Sequence, residues 1–380
     1  MKKVKKLNKL KELINKLCPN GVEYKNIQEL CKISRGKVMS KDFIKSNAGE
    51  YPVYSSQTEN NGELGKISTY DFDGEYLTWT TDGANAGSVF YRKGKFSVTN
   101  VCGLLEVKNK VMIPKFLYYV LSIEAPKYVN AGMGNPKLMS NVMAKIKVPV
   151  PPLEVQCEIV HILDDFTLLS AELSAELKAR KKQYEYYKKT LFENKNIELK
   201  TLKELATNCD NKRKPITSEN REKGEYPYYG ASGIVDYVKG YIFDGDYLLI
   251  SEDGANLVAR KTPIAFSISG KNWVNNHAHV LKFSNMYLQK YVEMYLNYIN
   301  IEQYISGAAQ PKLNQVNLNK IVIPIPNNDT LKNIVDILLK FDKITNDISE
   351  GLPAEIEARQ KQYEYYRDKL LTFKELKVNE

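Results

Sequence analysis

The sequence predicts an α+β protein built twice, with two similar globular domains separated and joined by two long antiparallel coiled-coil helices in a pseudo-two-fold internal repeat. Three observations carry this. The stretch Ala179-Arg-Lys-Lys-Gln-Tyr-Glu-Tyr-Tyr-Lys188 returns almost letter for letter as Ala358-Arg-Gln-Lys-Gln-Tyr-Glu-Tyr-Tyr-Arg367. Tyr51-Pro-Val-Tyr54 matches Tyr226-Pro-Tyr-Tyr229 (226 − 51 = 175), and Asn135-Pro-Lys-Leu138 matches Gln310-Pro-Lys-Leu313 at the same offset. Between the repeated segments, apolar residues alternate at steps of three and four, the spacing of a helical seam. Self-similarity at a fixed long period marks a repeated structural unit.

Residues 1–20 carry Leu7, Leu10, Ile14 and Leu17 at helical seam spacing, so a basic helix is expected, packed where the second arm ends. Residues 21–152 form the first domain and 196–327 the second. Short β-rich runs, Tyr76–Thr81 and Tyr247–Ser251, lie between Gly, Asn and Asp clusters. Lys115–Leu121 and Leu288–Leu296 have helical apolar spacing. Phe72-Asp-Gly-Glu-Tyr-Leu77 matches Phe243-Asp-Gly-Asp-Tyr-Leu248 at offset 171 (243 − 72), which places four extra loop residues in the first copy. Each domain exits through a stiff Pro-x-Pro, Pro149-Val-Pro151 and Pro324-Ile-Pro326.

The arms follow, residues 153–195 and 328–376. In the first, Ile159, Ile162, Phe166, Leu169, Leu173, Leu177, Arg180, Tyr184, Tyr187 and Leu191 form the seam. Its one extra four-residue step coincides with the tandem Ser170-Ala-Glu-Leu-Ser-Ala-Glu-Leu177. The second arm repeats the pattern through Ile334, Ile337, Phe341, Ile344, Ile348, Leu352, Tyr363, Tyr366 and Leu370, but Gly351-Leu-Pro353 predicts a helix stop and restart there.

Composition narrows the class. The 380 residues are 43% hydrophobic and 26% charged, as in ordinary globular proteins. No apolar run approaches a membrane span, and the N-terminus lacks the apolar core of a secretory signal, so a cytoplasmic protein is expected. Five scattered cysteines without a C-x-x-C pair read as free thiols. The net charge of +10 suggests an anionic partner. Yet residues 21–150 hold 17 basic against 12 acidic side chains, and residues 196–326 hold 15 against 13. Any nucleic-acid surface on the domains must therefore come from placed residues rather than bulk charge.

The doubled arm motif, the Pro152-Leu-Glu-Val-Gln156 arm start, Gly351-Leu-Pro-Ala-Glu-Ile-Glu-Ala-Arg359 and the tandem at 170–177 together resemble the specificity subunits of type I restriction-modification systems. The resemblance implies that each domain reads one half of a bipartite double-stranded DNA site. It also implies that the arms set the spacer and dock two methyltransferase subunits, to which restriction subunits can be added. It implies a noncatalytic chain with no cofactor of its own.

Base-contacting residues are not named by that resemblance and are chosen by chemistry: polar loop side chains read base edges, and cations or backbone amides hold phosphates. The first domain offers Ser55, Ser56, Gln57, Thr58, Asn60 and Asn61, and the second the counterpart loop with Ser232. Thr80, Thr81, Ser251 and Glu252 leave matching strands. Lys137 and Lys312 sit in glycine-bearing loops. Arg35, Lys37, Arg92, Lys212, Arg213 and Arg260 are generic phosphate candidates. For partner docking and the seam, Leu173, Leu177, Arg180, Tyr184, Tyr187, Arg359, Tyr363 and Tyr366 are expected, with the arginines at polar steps that set register. His277-Ala-His279 has no duplicate in the first domain and no ligand-spaced partner, so no metal site is expected.

Two rival readings stay open. A DNA-modifying enzyme is disfavoured, because no Asn/Asp-Pro-Pro-Tyr/Phe tetrapeptide occurs and the Glu-x-Lys triplets at 23, 193 and 375 lack a preceding Pro-Asp. A paired scaffold that binds protein partners without reading DNA is the other.

Overall fold

The computed structural model describes residues 2–108, 110–193, 197–307 and 309–376, with side chains from Lys6 onward except Met133. The expected boundary between residues 195 and 196, and the lysines of the triplets ending at 195 and 377, lie outside the described residues. The chain divides into two compact units, Met1–Ser174 with Glu355–Glu380, and Ala175–Ala354. The division falls inside the tandem Ser-Ala-Glu-Leu repeat.

In the first unit a six-stranded sheet runs in the order Cys31–Arg35, Cys102–Val107, Phe72–Thr80, Val89–Val98, Ala48–Tyr54, Glu63–Ile67. Neighbours are antiparallel except at Ala48–Tyr54, which pairs parallel with Val89–Val98 through Val53–Ser97 and Tyr54–Val98. A separate ribbon pairs Glu23–Asn26 with Lys147–Val150. It ties the domain's entry to its Pro-x-Pro exit, where the proline that cannot donate occupies an edge strand. Helix Pro114–Glu124 starts on proline, whose missing N–H costs nothing in a first turn. Its Phe116, Leu117, Val120 and Leu121 join Leu77, Trp79 and Leu105 of the sheet in one core.

The second unit repeats the plan with its long strands interrupted. Phe243–Asp244 and Tyr247–Ser251 stand for Phe72–Thr80, while Ala265–Ile268 and Lys271–Val274 stand for Val89–Val98. The break has a local cause. In the first unit Gly74 and Gly94 pair directly across the ladder, both with positive φ (138° and 93°). In the second, the matching Gly245 and Gly270 (φ 125° and 72°) are joined by one 3.3 Å backbone hydrogen bond. A facing glycine pair bends both strands at one place, and in the second unit the ladder parts there into two four-stranded sheets.

The arm helices carry the repeat into packing. Leu153–Phe192 is continuous over 40 residues, whereas the second arm consists of Asn328–Asn346 and Leu352–Leu371. Gly351 sits under the last turn of the first segment, where a Cβ would lie 2.5 Å from the Lys343 carbonyl oxygen, so a side chain there would force the break open. Within the first unit Phe166 stacks on Tyr366 (centroids 5.6 Å) and meets Tyr363 at 6.5 Å. Within the second, Phe341, 175 residues later, receives Tyr184 at 5.9 Å and Tyr187 at 5.3 Å. Leu173 and Leu177 are half-buried.

The expected seam of the second arm needs correction. Ile337, Ile344 and Ile348 are exposed; the covered stripe is Leu331, Ile334, Leu338, Phe341 and Thr345. It turns toward the second unit's own core of Leu296, Ile321 and Ile323. Arg180 and Arg359 find their partners on their own helices: Glu176 at 3.4 Å and Gln183 at 3.1 Å for the first, Glu355 at 3.2 Å and Gln362 at 3.1 Å for the second.

Candidate nucleic-acid interface

In the first unit the three polar segments singled out by chemistry converge. Leu138 N–H donates to the Thr81 carbonyl at 2.9 Å, and Gly83 N–H reaches the Pro136 carbonyl at 3.0 Å and Asn135 Oδ1 at 3.1 Å. This zips the Asp-Gly-Ala-Asn turn to the lysine loop. Asn85 Nδ2 donates to Thr58 Oγ1 at 3.0 Å, and Ser56 Oγ accepts from Thr81 N–H at 3.2 Å, which brings in residues 55–62. The second unit joins the equivalent loops through Leu313 N–H to the Glu252 carbonyl (2.7 Å), Gly254 N–H to the Pro311 carbonyl (3.1 Å) and Ser251 Oγ to the Ala231 carbonyl (2.5 Å). One edge of each domain thus gathers the polar loops.

Not every expected side chain is available there. Thr80 and Thr81 are buried, and their hydroxyls donate to the carbonyls of Asn85 and Val101. Ser251 is buried on the Ala231 carbonyl. Arg92 is buried, with its guanidinium 3.6 Å over the Tyr54 ring and Nε donating to Thr78 Oγ1 at 3.0 Å. Arg260, at φ 50°, donates to the Leu296 and Ile299 carbonyls and so caps the helix Met286–Tyr298. Thr80, Thr81, Ser251 and Arg92 are buried and Arg260 is engaged at a helix end, so none of the five is placed to meet a duplex, which corrects the expectation for them.

Others serve the loops themselves. Ser55 accepts from Thr99 Oγ1 (2.9 Å), Ser56 donates to the Val101 carbonyl, and Gln57 Nε2 donates to the Glu63 carbonyl (2.6 Å). Asn60 and Asn61 stand exposed at the tip with φ 48° and 54°, a backbone state that asparagine tolerates well. Lys137, Ser232 and Lys212 are exposed. Arg35 contacts Ser140 Oγ at 3.3 Å, and Lys37 pairs with Asp71 at 2.5 Å.

The second unit holds a charged network that single-residue reasoning missed. His279 is fully buried, with Nδ1 2.6 Å from Asp210 Oδ2 and Nε2 2.7 Å from the Leu313 carbonyl oxygen. Acceptor oxygens thus face both ring nitrogens. Arg213 lies 2.6 Å from Glu252 and 3.4 Å from Asp210, and Lys312 lies 3.2 Å from Glu252. Burial pushes the Asp210 carboxyl up, but the hydrogen bond and charge of His279, with the Val280 N–H and Asn208, outweigh it and hold the group below the usual range. Burial likewise raises Glu252, and Arg213, His279 and Lys312 more than reverse it. Asp210, Glu252 and His279 could crowd a metal ion by distance alone. With an oxygen acceptor already on each ring nitrogen, Arg213 beside both carboxylates and Lys312 beside Glu252, their arrangement is that of an ion-pair network. His-Ala-His was visible in the sequence; its partner Asp210 lies 69 residues away and gave no local signal.

The sequence profile of the type I restriction modification DNA specificity domain matches this chain twice, over residues 19–180 and 194–358. The chain belongs to that family. Type I specificity chains are recognition subunits, and the catalytic activities of their systems lie in other subunits. A putative type I specificity subunit of Mycoplasma pneumoniae is 35% identical over 90% of this chain and 96% of its own length. The specificity subunit of a type I restriction enzyme of the same organism is 48% identical over 48% of this chain and 56% of its own. Two solved structures share the specificity-subunit fold. The S subunit from M. genitalium has a TM-score of 0.60 at 17% identity, covering 92% of this chain and 96% of that one. The HsdS subunit from Thermoanaerobacter tengcongensis has 0.51 at 14%, covering 93% and 97%. No helix among the described residues is long and apolar enough to cross a membrane.

Proposed function

We propose that this specificity chain reads a bipartite double-stranded DNA site. Residues 21–152 would read one half and 196–327 the other, while the arms (153–195, 328–376) set the spacer and dock two methyltransferase subunits, with restriction subunits added in the full cytoplasmic complex. One observation carries the reading: the framework is duplicated down to its loop hydrogen bonds, while the exposed residues on the gathered edge differ between copies. Asn60 and Asn61 stand exposed on the edge of the first domain and Ser232 on that of the second, where Glu252 takes the place of Thr81. A shared frame with divergent polar tips suits two heads that read different base edges.

Within this proposal Asn60, Asn61 and Ser232 are the direct readers. Lys137, Lys312, Lys212, Arg35 and Lys37 hold phosphates, and Glu252 and Arg213 shape the second head. Ser55, Ser56, Gln57 and Thr58 hold the first reading loop. The test is to co-express the chain with the methyltransferase encoded beside it and map methylated bases across the genome by single-molecule sequencing. A split motif with a fixed spacer, of which only one half changes when residues 21–152 are exchanged, is the expected result. Methylation that follows an unsplit motif overturns the two-headed reading.

A further inference from the structure

The two domains share a hairpin frame at the polar edge but dress it differently. In the first unit Ala48–Tyr54 pairs with Glu63–Ile67, and in the second Lys223–Gly230 pairs with Gly233–Val238. The registers correspond: Tyr54 faces Glu63 as Tyr229 faces Ile234, and Pro52 faces Lys66 as Pro227 faces Tyr237. Each returning strand bulges at one residue, Leu64 in the first unit and Val235 in the second, where two residues stand opposite one.

The side chains on this frame have changed kind. Glu63 and Lys66 are replaced by Ile234 and Tyr237. Leu64 packs with Val53, Ile67 and Ile44 of the helix Lys41–Ser46. The offset of 175 carries that helix to residues 216–221, where the second unit has the single 3-10 turn Ser218–Asn220. There Ile234, Val235 and Tyr237 are 49%, 56% and 50% exposed. Scattered apolar residues on a surface are ordinary; three within four residues mark a binding surface. Val235 is also held in place: a Cβ on Gly230 would lie 2.8 Å from its Cγ2, so the valine rests over bare backbone of the facing strand.

The position of the hairpin decides what meets these side chains. Its turn is bound into the gathered edge, since Ser251 Oγ donates to the Ala231 carbonyl at 2.5 Å and the next residue, Glu252, accepts from Leu313 N–H at 2.7 Å. Ser232 in the turn and Lys312 in the lysine loop are both exposed. A cation for phosphate, a hydroxyl for a base edge and an apolar pair beside them match the major groove, which admits a two-stranded ribbon and displays the C5-methyl group of thymine.

We propose that Ile234 and Val235 are specificity-determining residues of the second head and meet the C5-methyl groups of thymines in its half-site. The proposal rests on the reading of each domain as the reader of one half-site. It adds that the second head reads part of its half by apolar contact, which the first, with Glu63 and a half-buried Leu64 at these positions, does not.

The test uses the full chain in complex with its methyltransferase. In a set of duplexes, each thymine of the half-site assigned to residues 196–327 is replaced in turn by deoxyuridine, which removes the methyl group and keeps the base pairing. Fluorescence anisotropy of the wild type should show binding about fourfold weaker at one or two positions, the worth of one buried methyl group. Ile234→Ala and Val235→Thr should each bind the unmodified duplex more weakly and lose the distinction between thymine and deoxyuridine at one of those positions. Their salt dependence should stay that of the wild type, because no phosphate contact is lost. Both positions are exposed, and unchanged melting keeps loss of reading apart from loss of fold. Equal binding of thymine and deoxyuridine duplexes by the wild type, a half-site without thymine, or a distinction that both variants retain overturns the inference alone. Binding that no base change in the half-site alters overturns the two-headed reading with it. A dimer of the chain that Ile234→Asp dissolves also overturns the inference, since it assigns the strand to a second copy.

Discussion

Trp79 and His279 perform one task, each in its own unit and from strands that are not equivalent: Trp79 Nε1 donates to the Leu138 carbonyl at 3.0 Å, and His279 Nε2 reaches the equivalent carbonyl, Leu313, at 2.7 Å. Where the first copy has Trp79 the second has Ile250, and where the second has His279 the first has Gly103. The exchange is steric. A Cβ on Gly103 would lie 2.3 Å from the indole carbons of Trp79, so the first domain can hold the large ring only if its neighbour has no side chain.

That pairing predicts a coupled cost. Trp79→Phe keeps most of the apolar bulk but leaves the Leu138 carbonyl unpaired, at about 1–3 kcal/mol. Gly103→Ala overpacks the site by about 1–3 kcal/mol. Combining Gly103→Ala with Trp79→Ile should cost less than the sum of the two single changes, since the smaller side chain makes room for the methyl group. Urea denaturation of the wild type, Trp79→Ile, Gly103→Ala and the double variant measures this, with Trp79→Phe alongside for the lost hydrogen bond; strict additivity would show that the two positions do not compete for space.

Asp210 predicts an acid limit for the second unit. Its folded carboxyl lies below its unfolded value, so its contribution is complete above the ordinary aspartate value of about 3.9 and fades as pH falls through the lower folded value. Asp210→Asn removes that contribution and leaves His279 and Arg213 short of a counter-charge in a buried site, at a cost of about 3 kcal/mol at pH 7. Melting curves at pH 7 and pH 3 should differ less for the variant than for the wild type; a wild-type melting point that does not fall toward pH 3 would rule this out.

The repeat, the arms and the helix break at Gly351 were legible because each rests on local pattern: identical motifs at one offset, a three-four step, a Gly-x-Pro. The loop gathering at each edge was only half legible. Asp-Gly-Ala-Asn and Asn-Pro-Lys-Leu could be matched between copies, but the backbone bonds from Leu138 to Thr81 and from Leu313 to Glu252 join residues 57 and 61 apart (138 − 81, 313 − 252) and leave no mark in the string. Burial decided the rest. Thr80, Thr81 and Ser251 carry the right donors for a duplex, and only the fold turns them inward. Ile337 and Ile344 fit a seam by spacing, yet spacing does not say which flank of a helix finds a cover.

Thiol chemistry offers a check on burial across the chain. Cys18, Cys31, Cys102 and Cys209 are buried and Cys157 is exposed on the first arm. Burial pushes the Cys31 and Cys102 thiols up to about 12, which leaves almost no thiolate at neutral pH. Maleimide labelling of the native chain at pH 7 should therefore modify one thiol, at Cys157, with the other four reacting only after denaturation. Mass spectrometry of labelled peptides reads this, and rapid native labelling of Cys31 or Cys102 would contradict the packing of the first unit.

The tandem at 170–177 supplies the most direct test of the arms as a spacer. The chain passes from one unit to the other within this repeat, on a helix that continues unbroken from Leu153 to Phe192. One tetrapeptide adds about 6 Å of rise and about 40° of excess rotation, so its loss keeps the seam nearly in phase. With B-DNA rising about 3.4 Å per base pair, 6 Å bounds the change at about two base pairs. Deleting Ser174–Leu177 should leave both half-site sequences unchanged and shorten the spacer by one or two base pairs, as read from the methylated motif. A change in either half-site sequence, or an unchanged spacer, would show that the arm does not set the distance between the two heads.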